Sequence, residues 1–176
     1  AGTLDLDVAG VVTLSGGFSF SKHTEGPNTK ILIGVANAQA FLGVGAGTED
    51  AIGVQATVDR LGVVLYKTAG ATSYALEGAG GVALIGLEGL VVEGNAAVEI
   101  NQSGQIVNET FDVPNPDFDD EQPVSATNPE TIQVAVTFAT PAEVLAVRGD
   151  LTLSVADIFT LTGTVSFRKM PTGRVQ

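Results

Sequence analysis

Apolar and polar residues alternate one by one along much of the chain. In the stretch TLDLDVAG, Leu4, Leu6 and Val8 are apolar while Asp5 and Asp7 are charged. The same period of two recurs in residues 12–20, 52–58, 90–100, 132–138 and 145–167. Because successive side chains of a strand point to opposite faces, this pattern predicts strands with one face on a core and the other in water.

Turn-forming residues separate these alternating runs. Clusters of Gly, Asn, Asp, Ser and Pro occupy residues 22–30, 45–50, 67–73 and 101–105, and these residue types favour the dihedral angles of turns. The runs between them are much longer than a usual strand of roughly five to six residues. Helical spacing is scarce, and residues 141–147 are the best short candidate for a helix.

The long runs contain glycines that keep the phase of the alternation, namely Gly16, Gly94 and Gly163, which indicates bends or bulges. We therefore predict an all-β fold, an antiparallel meander of long bent strands that forms an elongated sandwich or a flattened barrel. A β-solenoid whose coils are interrupted by these glycines is the alternative.

One stretch of the sequence occurs twice in similar form. Residues 2–22 and 149–169 align without a gap, and 11 of the 21 positions are identical. An alignment that needs no gap over 21 positions indicates an internal repeat rather than a merely similar composition. The sequence therefore predicts one β repeat unit over residues 1–148, and residues 149–176 open the next copy.

The charge is strongly negative, with 20 acidic and 8 basic residues and a net charge of −12. No Lys or Arg occurs between Lys67 and Arg148. Nucleic acids and anionic membrane surfaces require clustered cations, so neither is an expected partner. No stretch approaches the ~18 apolar residues of a membrane helix, so membrane insertion is not expected either. Cysteine is absent, which excludes disulfides and thiolate metal sites.

An acidic, proline-rich segment at residues 112–130 interrupts the alternation, and its composition predicts a long loop. Calcium takes about six to eight oxygen ligands in relaxed geometry, which such a loop can partly supply. The alternative is a solvated acidic loop without a metal. The candidate calcium ligands are Asp112, Asp117, Asp119, Asp120 and Glu121.

Catalytic signatures are scarce. The single histidine, His23, lies in a polar turn, and no G-x-S-x-G nucleophile motif occurs. Paired carboxylates serve glycosidases, but the chain has no Trp and only two Tyr on which a sugar ring could stack. We therefore expect a protein that is not an enzyme, and the same shortage weakens a carbohydrate-binding function without removing it.

The phrases VAGVVTLSGGFSFSK, LGVVLYK and ADIFTLTGTVSFRK resemble tandem modules of very large bacterial secreted or cell-surface proteins, which are adhesin-like. The resemblance covers residues 4–169, least well in the acidic loop. It implies an extracellular structural or adhesive module, often in calcium-rich surroundings. The GGxGxD motif of calcium-binding toxin repeats is absent, so a calcium roll of that type is not indicated.

These observations predict a non-catalytic module that extends or assembles a large extracellular protein. The alternative is a module that binds a carbohydrate or protein ligand, such as a glycan or a host surface. Neighbouring copies of the module, joined head to tail, are the expected partners, because a repeat at both ends presents similar edges. We expect four apolar residues to be buried in this chain or in its neighbour: Phe159, Leu161, Val165 and Phe167.

Overall fold

A computed structural model describes residues 1–9, 11–68, 70–156 and 158–169, and these contain ten β-strands and no helix. The all-β prediction is confirmed. The strands are β1 (Gly2–Val8), β2 (Val12–Glu25), β3 (Asn28–Val44), β4 (Ile52–Thr68), β5 (Ala71–Ile85), β6 (Leu90–Asn101), β7 (Val107–Pro114), β8 (Thr131–Phe138), β9 (Val144–Val155) and β10 (Phe159–Lys169).

Eight of the strands form one main sheet in the order β1-β2-β3-β4-β5-β6-β9-β10, and every pair of neighbours is antiparallel. The predicted meander of long strands is therefore confirmed, whereas a solenoid is not found. Strands β1 and β10 lie at opposite edges of the sheet, so the sheet stays open and the flattened barrel was wrong.

A second layer covers part of the main sheet. Strands β7 and β8 pair with each other in a separate two-stranded sheet, which packs on the side of β2–β5 that we call the covered face. Val64 and Ala75 are fully buried there against Val107, Val136 and Phe138 of this hairpin. The Lys30 Nζ and Glu109 Oε1 atoms join the two layers at 2.8 Å.

Glycines allow the second layer to approach closely. A Cβ on Gly34 would lie 2.5 Å from the Phe111 ring, and one on Gly62 would lie 2.5 Å from a Val136 methyl group. At Gly17 a Cβ would overlap the carbonyl oxygen of Pro114. The small residues of the covered face are therefore required by the hairpin that packs on it.

A line of irregularities crosses β2, β3 and β4. The register shifts beside Gly16 and again between Val58 and Arg60, and Asn37 between them has a φ of 45°. The bulge predicted at Gly16 is confirmed, while the pairings of Gly94 and Gly163 continue without a shift.

Two local expectations differ from the structure. Residues 141–147 form no helix, because β9 begins at Val144 and pairs with β6. The break in alternation after Val8 is the hairpin turn between β1 and β2, where Ala9 adopts a φ of 53°. A turn that falls within an apolar run carries few of the polar residues by which turns are recognised.

Candidate assembly surfaces

The two repeat copies form equivalent hairpins at opposite edges of the main sheet. In β1–β2, Gly2 pairs with Phe18 and Val8 with Val12. In β9–β10, Gly149 pairs with Val165 and Val155 with Phe159, which is the same register moved along the chain by the repeat. The turns also match, because Ala156 has a φ of 47° as Ala9 has one of 53°.

The β9–β10 hairpin is joined to the rest of the main sheet through β6. Strand β9 pairs with β6 from Leu90↔Val155 to Asn101↔Val144. The Arg148 Nη2 atom donates to Glu99 Oε1 at 2.6 Å across this pair. Residues 149–169 thus extend the main sheet beyond β6, and β10 is its outer strand.

The four residues predicted for self-association all lie on β10, and none of them is fully buried within the chain. Phe159, Leu161 and Val165 are 50%, 61% and 65% exposed, and Phe167 is partly buried. Burial within the chain was therefore wrong, because β10 has a neighbour on one side only and no layer above it. Burial against a neighbouring chain stays a prediction.

The alternating apolar residues of the main sheet lie together on the side opposite the hairpin, which we call the aliphatic face. It was expected to be a core, yet many of its members are among the exposed large apolar residues of the chain. These include Leu4, Leu6, Phe20, Leu42, Val54, Val82, Val147 and Leu151. In the described strands, the register and alternation place no Asp or Glu on this face, and its charged residues are Lys22, Lys67 and Lys169 at one end.

A groove of about 650 Å³ crosses the middle of the aliphatic face from β4 to β10. The residues that line it include Gly80, Gly94 and Gly149 together with Leu76 and Leu151. Large exposed apolar patches on proteins are often interaction sites, so the aliphatic face is a candidate assembly surface.

A polar cleft of about 350 Å³ lies beyond the hairpin on the covered face. Amide, hydroxyl and carboxylate side chains line it, among them Gln39, Gln55, Asn95 and Asp150, but no aromatic side chain does. Sugar-binding sites commonly use an aromatic ring as a stacking surface, so the cleft adds little to the carbohydrate alternative.

Two titratable groups beneath the hairpin have shifted pKa values. Burial raises the pKa of Glu77, and the N–H of Thr137, which donates to Glu77 Oε2 at 2.9 Å, opposes that rise. Burial and, less strongly, the charge of Glu109 raise the pKa of Tyr66. Glu77 is bonded to β8 through Thr137, and Tyr66 packs against the buried cluster beneath the hairpin, so both residues make structural contacts.

The structure does not gather the predicted calcium ligands into one site. Among the described residues no group of three or more His, Asp or Glu side chains is placed to hold a metal ion. Asp112 lies within β7, opposite Gln133. Asp117 Oδ2 accepts a hydrogen bond from Asn37 Nδ2 at 2.8 Å, and Asp119 Oδ1 accepts one from the Glu121 backbone at 3.0 Å.

Two asparagines that sequence reasoning missed organise this acidic loop instead. Asn115 Nδ2 donates to the Pro129 carbonyl at 2.8 Å, and Asn128 Nδ2 donates to the Asp119 carbonyl at 2.8 Å. Both asparagines precede a proline, and the Asn-Pro dipeptide is a known turn signal that could have identified them. Amide hydrogen bonds of these two asparagines therefore close the loop.

None of the described segments is a helix that could cross a membrane. The chain was compared with known protein families, curated proteins and solved structures, and it has no match in any of the three.

Proposed function

We propose that this chain is a non-catalytic structural repeat module whose main sheet continues from one copy to the next. The observation that carries this proposal is the position of the second copy, which pairs through β9 with β6 and keeps the register of the first. In a tandem array β9–β10 serves as β1–β2 of the following unit. Each unit then contributes six strands, β1 to β6, to one antiparallel sheet.

Glycines that are retained at the free edges support this continuation. A Cβ on Gly16 of β2 would lie 2.6 Å from Ala38 of β3, whereas its counterpart Gly163 on β10 has nothing within 4 Å. Conversely, a Cβ on Gly149 of β9 would overlap the Asn95 carbonyl oxygen, whereas its counterpart Gly2 on β1 has nothing within 4 Å. Each copy keeps the glycine that is needed only where a neighbouring strand is present.

A continuous sheet suits a protein that spaces or assembles other parts of a long polypeptide. The resemblance to tandem modules of bacterial surface proteins supports an extracellular, adhesive setting for it. The net charge of −12 favours solubility and makes nucleic acid an unsuitable partner.

A fused chain tests the proposal. Residues 2–176 are placed directly after residue 148, so that one hairpin joins two units, and Asp5→Thr is made in the second unit because Asp5 would otherwise face Glu93 at the place of Thr152. Because stacked repeats add interface energy, we expect one cooperative melting transition at a higher temperature than that of the single chain. Scattering should show a rigid particle longer by six strand spacings, about 29 Å. Two independent transitions, or a flexible pair of particles, would contradict the proposal.

The aliphatic face favours a second function, binding of a protein surface. We propose that its occupant is the aliphatic face of a second chain, which completes the two-layer sandwich expected from the sequence. The negative charge does not oppose this pairing, because the acidic side chains of the main-sheet strands, such as Asp5, Glu93 and Asp150, point to the other face.

A pair of variants tests this second function. Val82→Asp places a carboxylate at a 52% exposed position on the groove, and Gln55→Asp places one on the opposite face. We expect Val82→Asp to weaken face-to-face dimers at least tenfold in sedimentation and Gln55→Asp to leave them unchanged. Equal dimerisation of both variants would contradict a second copy as the occupant. So would wild-type binding to neutral phosphatidylcholine vesicles without dimerisation, which would assign the face to lipid.

A further inference from the structure

Separate copies of the chain can use their sheet edges in two ways. In direct pairing, the free edge of β10 in one copy bonds to the free edge of β1 in another. In exchange, one repeat hairpin leaves its sheet and the equivalent hairpin of a second copy takes its place, because β1–β2 and β9–β10 share one register. Domain swapping of identical elements is a familiar route to oligomers.

We propose that copies of this chain join by direct β10–β1 pairing and not by exchange. This inference rests on the proposed function, since it uses the same two edges. The eight strands of the main sheet alternate in direction, so β1 and β10 run in opposite directions. A second copy placed in the same orientation therefore presents β1 antiparallel to β10, and the two aliphatic faces lie on the same side.

Exchange of β9–β10 into the position of β1–β2 is blocked by a side chain. Gly17 lies beneath the second layer, where a Cβ would overlap the Pro114 carbonyl oxygen. Its counterpart in the second copy is Thr164. The β9–β10 hairpin therefore does not fit under the β7–β8 hairpin of this unit, and the covering hairpin of a following repeat has to leave room for Thr164.

The opposite exchange places like charges together. Thr152 of β9 faces Glu93 of β6, and its counterpart in the first copy is Asp5. With β1 in the place of β9, two carboxylates would face each other across the strands, which is unfavourable. The ion pair between Arg148 and Glu99 would also be lost, because the counterpart of Arg148 is Ala1.

Direct pairing causes neither the steric clash of Thr164 nor the contact between two carboxylates. The polar face of β1 carries Thr3, Asp5 and Asp7, while β10 carries threonines, Ser166 and Arg168 on that face and no acidic residue. On the aliphatic face, leucines of β1 would meet Leu161 and Val165 of β10. Repetition of one head-to-tail contact without rotation produces an open fibre.

Cysteine cross-linking distinguishes the two modes, because the chain contains no other cysteine. Full-length Thr162→Cys is mixed with full-length Thr3→Cys or Asp5→Cys, which reports direct pairing, or with Gln39→Cys, which reports exchange. Exchange would place Thr162 where Ser15 faces Gln39. Within one chain β3 and β10 are five strand spacings apart, about 24 Å, so a short bismaleimide reagent links only separate chains.

We expect at least tenfold more cross-linked dimer with Thr3→Cys or Asp5→Cys than with Gln39→Cys, rising with protein concentration. Predominant cross-linking to Gln39→Cys, or no cross-link at millimolar concentration, would overturn direct pairing. The fused chain contains its junction covalently, so its melting result is independent. A rise in melting temperature without cross-linking would remove this inference and leave the repeat module standing, and the reverse result would remove the module function.

Discussion

A Val64→Asp variant is expected to lose about 3–5 kcal/mol of stability, whereas Val63→Asp, one residue earlier in β4, is expected to lose much less. Val64 is fully buried beneath the hairpin with Val136 and Phe138, and Val63 points to the aliphatic face. An unpaired carboxylate in a core costs about 3–5 kcal/mol. That is a large part of the ~5–15 kcal/mol by which proteins of this kind are stable.

Urea unfolding followed by circular dichroism measures this difference, and the neighbouring variant controls for loss of a β-branched residue from the strand. A midpoint of Val64→Asp equal to that of Val63→Asp would show that the second layer does not cover β4. A midpoint near zero for both variants would instead contradict the expectation for Val63→Asp, because it would show that the fold also depends on an uncharged aliphatic face.

Sequence periodicity predicted the strands because the alternation of Leu4, Leu6, Leu151 and Leu153 depends only on local geometry. The pairing order followed from turns between consecutive strands. The departure of β7–β8 from the sheet could not be predicted. The alternation from Ile132 to Phe138 would be the same if this strand paired within the main sheet as it is when the strand packs on top of that sheet.

The location of the core was the main failure of sequence reasoning. Apolar alternation marks the aliphatic face, yet the buried clusters lie on the covered face, where the main sheet contributes Ala36, Val64 and Ala75. Small residues mark this face because the hairpin approaches closely, and in a periodicity analysis glycines and alanines carry little weight beside the large aliphatic residues of the other face. Because small residues allow close approach, some of the glycines that were interpreted as bends are places where a neighbouring strand lies very near.

Sequence reasoning identified the repeat hairpins of the candidate surface but not the arrangement of the acidic loop. The repeat predicted β9–β10 as the equivalent of β1–β2, and the two hairpins have the same register. The acidic composition of residues 112–130 was a weaker guide to a metal site. Asp117 accepts a hydrogen bond from Asn37, and Asp119 accepts one from the loop backbone. A count of carboxylates in sequence gives no information on whether their oxygens converge on one point.

Replacement of Gly17 by threonine, the residue that the second copy carries at this place, is expected to cost about 3 kcal/mol of stability. The new Cβ would overlap the backbone carbonyl oxygen of Pro114 and lie 3.2 Å from a Val113 methyl group. A backbone atom cannot rotate away as a flexible side chain can, so β7 has to lift from the sheet. Hydrogen exchange should accordingly become faster in β7 and β8 than in β4–β6.

The inverse change, Thr164→Gly, is the matched control. Thr164 is exposed on the outer strand, and its Oγ1 donates to Asp150 Oδ1 at 2.7 Å. Its loss is expected to cost about 1 kcal/mol, from one exposed hydrogen bond and the freedom of glycine. If Gly17→Thr costs no more than this control, the hairpin accommodates a side chain at residue 17. The steric argument against exchange of β9–β10 into that position then fails as well, because Thr164 would fit there equally well.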